Sequence, residues 1–160
     1  MIRPCTAADA AAIAAIYNHY VRETVITFEE TPVAAEEMAA RIAKLVPQFP
    51  WLVADEGGAI VGYAYAAPWK ERSAYRFAVE CTIYCAPSHM GRGIGAGLYR
   101  VLLAELRTRD FHTVIGGVAL PNSASVALHE KLGFKKVAHF AQVGYKLGRW
   151  VDVAYWQLAL

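Results

Sequence analysis

The sequence predicts a mixed α/β fold, a mostly antiparallel sheet flanked by helices, over a single domain of residues 1–160. Three observations predict it. Apolar residues recur at helical spacing over the first 45 positions, then adopt the two-residue period of strands over 51–66. A glycine-rich turn at 89–100 joins a strand to a helix. No internal repeat and no Pro/Gly/Ser-rich linker interrupts the chain.

Each element has its own signal. Residues 2–5 read as a short strand. Thr6 followed by Asp9 resembles a helix cap, and Ile13, Ile16, Tyr17 and Tyr20 form the stripe of a helix to about Arg22. Thr31-Pro32 signals a second helix, with proline at its first position, that runs to about Leu45 with Met38, Ile42 and Leu45 on its apolar face. WLVAD (51–55), the turn 56–58 and AIVGYAYA (59–66) read as a β-hairpin. A polar loop over 68–77 leads into a strand at 79–86. Ile94, Leu98, Leu102 and Leu106 mark one face of a helix over 94–108. HTVIGGVA (112–119) is a β-branched strand, Ser123 to Leu132 a short helix ended by Gly133, and 134–140 and 150–158 two aromatic strands. The order is β-α-α-β-β-β-α-β-α-β-β.

Composition narrows the function. A chain that is 56% hydrophobic and 19% charged is globular rather than disordered. A net charge of +2, with no basic stripe interleaved with aromatics, argues against a nucleic-acid partner. The three cysteines, Cys5, Cys81 and Cys85, are odd in number. On one strand, Cys81 and Cys85 would stand roughly 13 Å apart, too far for a disulfide. A reducing compartment is expected. Met1-Ile2-Arg3-Pro4 leads directly into ordered-looking sequence with no signal peptide, and no apolar run reaches the roughly 18 residues of a membrane span. The cytoplasm is the expected location.

HMGRGIGAGLYR (89–100) carries four glycines in seven positions, at a strand-to-helix turn. Such a turn presents free N–H groups and the positive end of a helix dipole, which suits a pyrophosphate. GRGIGA (91–96) fits the dinucleotide pattern GxGxxG/A, but that motif needs an acidic residue about 20 positions further on. Val114-Ile115-Gly116-Gly117-Val118 supplies none, and Gly-Lys-Ser/Thr is absent as well. Tight strand–helix packing is the plainer use of such glycines, although packing seldom needs so many in one turn.

The strand, MGRGIGAGL, the helix and then PNSASVALHEKLGF (121–134) resemble a GNAT-type N-acetyltransferase. That family binds acetyl-CoA through an (Arg/Gln)-x-x-Gly-x-(Gly/Ala) loop, matched here by Met90 through Gly95 and on into Ala96. Met90 departs from the pattern, leaving the backbone N–H groups and Arg92 to hold the phosphates. Asn122 matches the asparagine beside the pantetheine arm, and Gly133-Phe134 matches the helix-ending signature. FEETP (28–32), PWKERSAYRFAVECTIY (68–84), LHEKLGF (128–134) and GYKLGRWVDVAYWQL (144–158) are similar to the phosphinothricin / methionine sulfoximine acetyltransferase branch across nearly the whole chain. The resemblance implies the GNAT fold, acetyl-CoA as donor, a small amino-acid-like amine as acceptor, and a homodimer. It implies cofactor contacts from Ile83, Tyr84, Cys85, Gly91, Arg92, Gly93, Ile94, Gly95, Ala96, Asn122 and Ser125.

Acetyl transfer requires the amine to lose a proton, and an α-amino group with a pKa of ~8 is mostly protonated at neutral pH. Glu80 is the candidate base, at the position where the family places one. In strict alternation Glu80, Thr82 and Tyr84 share one face, while Val79, Cys81, Ile83 and Cys85 share the other; a bulge would alter that parity. His129 occupies the position where many relatives have a tyrosine proposed to protonate the thiolate. It reads equally as that acid, titrating near neutrality, or as a partly buried helix histidine. Lys70, Arg72 and Tyr75 are candidates for an anionic substrate, since arginine pairs bidentately with carboxylates. Phe28, Thr82, Tyr84 and Val118 would line the pocket. His129-Glu130 lacks the second histidine of HExxH, since Gly133 stands there, and the other histidines show no ligand spacing, so no metal is expected. With no GxSxG and no cysteine–histidine pair evident, direct attack in a ternary complex is the expected route. Acetylation of a peptide N-terminus and a non-catalytic acyl-CoA-binding module are the alternatives.

Overall fold

The computed structural model describes residues 1–160. Seven strands form one sheet: β1 (Ile2–Pro4), β2 (Trp51–Glu56), β3 (Ala59–Pro68), β4 (Ala78–Cys85), β5 (Thr113–Leu120), β6 (Lys135–Lys146) and β7 (Arg149–Ala159), in the order β1-β2-β3-β4-β5-β7-β6. The helices are α1 (Ala10–Glu23), α2 (Ala35–Leu45), α3 (Ile94–Thr108) and α4 (Ser123–Lys131). Every neighbouring pair of strands is antiparallel except β4 and β5, which are parallel. No helix is long and apolar enough to cross a membrane.

Alternation in the strands feeds two core layers. Leu98, Leu102 and Leu106 of α3 are fully buried against Val79, Cys81, Val114 and Trp156 on one face. Ile13, Tyr17 and Tyr20 of α1 and Met38 and Ile42 of α2 pack against Val53 and Tyr63 on the other. Pairing of β4 with β3 runs unbroken from Val79 to Cys85, so no bulge shifts the parity of Glu80, Thr82 and Tyr84 there. The three cysteines are free thiols.

Two boundaries differ from the sequence expectation. The second helix starts at Ala35 rather than at Pro32. Asn18 accepts from the Val33 N–H (2.7 Å) and donates to the Val33 carbonyl (2.8 Å), which holds residues just before α2 out of helical geometry. The penultimate strand continues to Lys146 instead of ending near 140. A register shift between Phe140 and Gly144 absorbs Gln142, at φ 50°, and pairing then resumes to a two-residue turn. That turn is Leu147 (φ 51°) and Gly148 (φ 75°), the doubly left-handed geometry that matches the twist of a hairpin.

One polar knot ties the first strand to the helical layer. Arg3 donates to both oxygens of the buried Asp9 carboxylate (2.9 and 2.8 Å) and to Asp55 at the end of β2 (3.2 and 3.1 Å). Asp9 also accepts from the Thr6 N–H (2.8 Å), the bond expected of this cap, and from the Thr6 hydroxyl (2.9 Å). The Arg3 guanidinium holds Asp9 down at about 2, against an ordinary 3.8. A lowered carboxylate pKa contributes stability that is full above 3.8 and is lost as pH falls towards 2. The melting temperatures of wild type and Asp9→Asn should therefore differ most at pH 7 and converge between pH 4 and pH 2.

Candidate active site

The site arises where the sheet comes apart. β4 and β5 pair only at Ala78–Thr113, Val79–Val114 and Glu80–Ile115, although both strands run on for several residues. Beyond Glu80 they separate, and a cleft of about 590 Å³ opens between them. The cleft is walled by β4 from Glu80 to Cys85, by the turn before α3, by Gly117–Ala119 of β5, and by one face of α4. Tyr20, the segment 26–28 and Tyr155 close its other side.

At one end α3 begins. Its N-cap is Gly93, at φ +80°, and no side chain caps the helix. The first backbone N–H groups of α3 thus lack intrahelical partners and carry the positive end of the dipole. The four glycines divide their work. Gly91 (φ +74°) and Gly93 supply left-handed backbone, and a Cβ at either would meet nothing within 4 Å. Gly95 and Gly97 supply proximity: a Cβ would stand 3.3 Å from Ile83 and 3.2 Å from Ile2 respectively. Ile94, Gly95 and Ala96 line the cleft, as do Ile83, Tyr84, Cys85, Gly91, Gly93, Asn122 and Ser125. Arg92, contrary to expectation, does not: its guanidinium lies 3.5 Å from Glu56 at the end of β2, so the turn presents its backbone N–H groups, rather than this side chain, to the cleft. Met90 is exposed, with its sulfur 3.6 Å from the Tyr20 hydroxyl, which also donates to the Cys85 carbonyl (2.5 Å). Asn122 caps α4 by accepting from the Ser125 N–H at 3.1 Å.

In the middle of the cleft lies Glu80. Its carboxylate reaches across to β5, with Oε1 3.2 Å from where a Cβ on Gly117 would be. Glu80 is half-buried and receives no hydrogen bond; burial raises its pKa, with Lys70 opposing that shift. The result is a carboxylate more basic than one in water.

His129 is buried on the opposite side of β5, under Gly116, where any Cβ would overlap its ring. Its Nδ1 lies 2.7 Å from the Ser125 carbonyl, which can only accept, so Nδ1 carries the proton. Nε2 is then the acceptor, 3.2 Å from the Tyr99 hydroxyl. Burial lowers the pKa of the ring, which favours this neutral form.

Of the residues expected around the amine, Phe28, Thr82 and Val118 line the cleft. Lys70, Arg72 and Tyr75 line a separate shallow depression formed by 68–75. The two are joined through Trp69, whose ring meets that of Tyr155 edge-on at 5.5 Å. Tyr155, Gly117 and Tyr20 were not among the sequence-derived site residues. The alternation of VDVAYW could have placed Tyr155 on the cleft face; nothing local marks Tyr20.

A cleft with a free helix N-terminus at one end, an unpaired strand edge along its side and a basic carboxylate halfway describes an enzyme that brings a long phosphorylated donor to an acceptor carrying a proton. The chain belongs to the GNAT acetyltransferase family: the family described as Acetyltransferase (GNAT) domain matches residues 2–155. It is 42% identical over 156 residues to a phosphinothricin N-acetyltransferase of Streptomyces viridochromogenes, covering 98% of this chain and 85% of that one. It is 38% identical over 160 residues to an L-methionine sulfoximine/L-methionine sulfone acetyltransferase of Salmonella typhimurium, covering 99% and 94%. A phosphinothricin acetyltransferase of Sinorhizobium meliloti, solved with acetyl-CoA, superposes with a TM-score of 0.97 at 40% identity, over 100% of this chain and 88% of that one. The protein is an acetyl-CoA-dependent N-acetyltransferase. Its residues fit that donor, because the uncapped start of α3 suits a pyrophosphate and the edge of β4 beyond Glu80 has no strand partner.

A neutral His129 whose Nδ1 proton is held by the Ser125 carbonyl has no free ring proton to give to the cleft that it lines. His129→Asn should reduce kcat by less than about tenfold, whereas loss of a general acid costs about 10²–10⁴-fold. The check is steady-state kinetics at saturating acetyl-CoA, with the alkaline limb of the pH–rate profile compared with wild type.

Proposed function

We propose that residues 1–160 form one GNAT domain that acetylates the amino group of a small amino-acid-like substrate of the phosphinothricin, methionine sulfoximine or methionine sulfone type. The observation that carries this reading is Glu80: a half-buried carboxylate without a hydrogen-bond partner, beside the cleft rather than on open surface. Relatives named for those amines are similar over nearly their whole length. Phe28, Val118 and Tyr155 offer an apolar wall for a short side chain, and Lys70 and Arg72 lie alongside with positive charge for an acidic group.

Acetyl-CoA supplies an activated thioester. Glu80 takes a proton from the incoming ammonium, directly or through water, and frees the lone pair for attack on the acyl carbon within a ternary complex. The C–S bond then breaks, and coenzyme A leaves as a thiolate that takes up the proton the new amide nitrogen sheds, through solvent in the cleft. Its raised pKa matches it to that task, and the nearby Lys70 keeps the ionised form in play. The N–H groups of Gly91 to Ala96 hold the phosphates and Asn122 and Ser125 flank the arm. No covalent intermediate on the protein is needed.

A thiol-release assay with acetyl-CoA tests the reading. Release with phosphinothricin, methionine sulfoximine or methionine sulfone is expected; release with peptides alone, or binding without release, overturns it. Glu80→Gln should lower kcat by about 10²-fold or more while acetyl-CoA still binds. Wild-type kcat/KM should rise with pH through a group titrating above the ordinary carboxylate range, and the variant should lose that limb.

The proposal includes a homodimer and a cytoplasmic location. Phe140, Val143, Tyr145, Leu147 and Trp150 are all more than half exposed on the β6–β7 hairpin, an apolar patch of the kind that marks an interface. Light scattering should give twice the 17.5 kDa of one chain, and Trp150→Glu should shift the population towards monomer. The three free thiols support a reducing compartment.

A further inference from the structure

Lys146 is a lysine out of place. It ends β6, yet only 2% of it is exposed; no carboxylate pairs with it directly, and Glu30 and Glu29 act on its charge only from further off. Its ammonium donates to the Thr27 carbonyl at 2.7 Å and the Tyr20 carbonyl at 3.4 Å. Burying an ammonium against two backbone carbonyls is expensive, and an apolar side chain would fill the same space without that cost. What the charge adds is direction.

The carbonyls it holds belong to residues that line the cleft, and so does Phe28 next to Thr27. Two positions before Lys146, Gly144 leaves room for the Phe28 ring, which occupies the place a Cβ would take. The hairpin therefore grips the segment twice, once by hydrogen bond and once by shape. The rest of residues 24–34 is also held by polar ties. Tyr17 bonds Thr27 (2.7 Å) and Glu29, and Arg41 clamps both oxygens of Glu29 (2.8 and 2.7 Å). Its apolar support beside β5 and β7 is the small cluster Val25, Ala119 and Val151. Val33 anchors its far end in the main core, so between Val25 and Val33 the position of the loop rests largely on these hydrogen bonds and on the Phe28 ring over Gly144.

We propose that Lys146 is a positioning residue for the amine subsite. By holding the Tyr20 and Thr27 carbonyls it sets where Phe28 stands over the cleft, and so governs KM for the acceptor amine. The inference rests on the reading that the amine sits between Phe28 and Glu80. Tyr20 also touches the cofactor side, through its hydroxyl on Met90 and the Cys85 carbonyl, but its ring is fixed in the core of α1. No hydrogen bond joins residues 24–34 to the start of α3.

Lys146→Met keeps the stem and removes the donors; Lys146→Gln, a shorter uncharged amide, serves where the first variant does not fold and should give a smaller rise in KM in the same direction. KM for methionine sulfoximine should rise by about tenfold or more, with kcat within about threefold and acetyl-CoA Kd within about twofold of wild type. Hydrogen exchange should quicken in residues 24–34 and stay unchanged in β2 and β3. Lys146→Arg, which restores donors, should recover part of the KM. A merely structural role would lower the melting temperature and the active fraction with KM unchanged, and that result overturns the proposal, as does unaltered exchange in 24–34. Should wild type release no thiol with any amine, the functional reading fails by itself, and the exchange pattern still decides for or against Lys146.

Discussion

The three-pair seam between β4 and β5 is the constraint on which the site depends. Had the two strands stayed in register to their ends, the middle of the sheet would be closed and no cleft would exist. Instead the pairing ends at Glu80–Ile115, so the candidate base stands on the last paired residue, at the point where the strands part. The consecutive glycines of β5 then serve opposite faces, as strand alternation requires. Gly116 gives way to the His129 ring, and Gly117 gives way to Glu80 and Tyr155. A side chain at either position would fill the seam from one side.

Charge is distributed along the cleft by burial rather than by ion pairs. The helix start offers partial positive charge at fixed positions, with no side chain to reorganise. Glu80 is left unpaired in partial burial, which raises its basicity, and the same burial keeps His129 neutral. The charged side chains that sequence reasoning recruits most readily stand further out, Arg92 beside Glu56 and Arg72 in the neighbouring depression.

The helical stripe of α3, the hairpin at 51–66 and the facing of Glu80 were legible because each depends on local periodicity that the tertiary structure reinforces. The start of α2 was not, because the proline signal at 32 is local while the side chain that overrides it, Asn18, is far away in sequence. The full length of β6 was hidden by the bulge around Gln142, where alternation lapses and then resumes. Within the glycine loop the sequence told correctly that side chains were unwelcome but not why; backbone φ explains two positions and close packing the other two. Lys146 was invisible for a plainer reason. A lysine next to a turn reads as surface, and only the placement of Tyr20 and Thr27, more than a hundred residues earlier, shows it to be interior.

The seam also gives this sheet edges in its interior. An unpaired strand edge ordinarily invites another chain to add itself, the usual route to aggregation, and proteins blunt such edges with charge, bulges or cover. Here α4 and the segment 26–28 stand over the gap, and Glu80 points into it. A strand arriving from outside would have to bring its side chains past those walls, whereas a slender unbranched chain with amide groups could enter. The fold thus keeps an unpaired backbone edge within reach of a thin ligand while walling it on both sides.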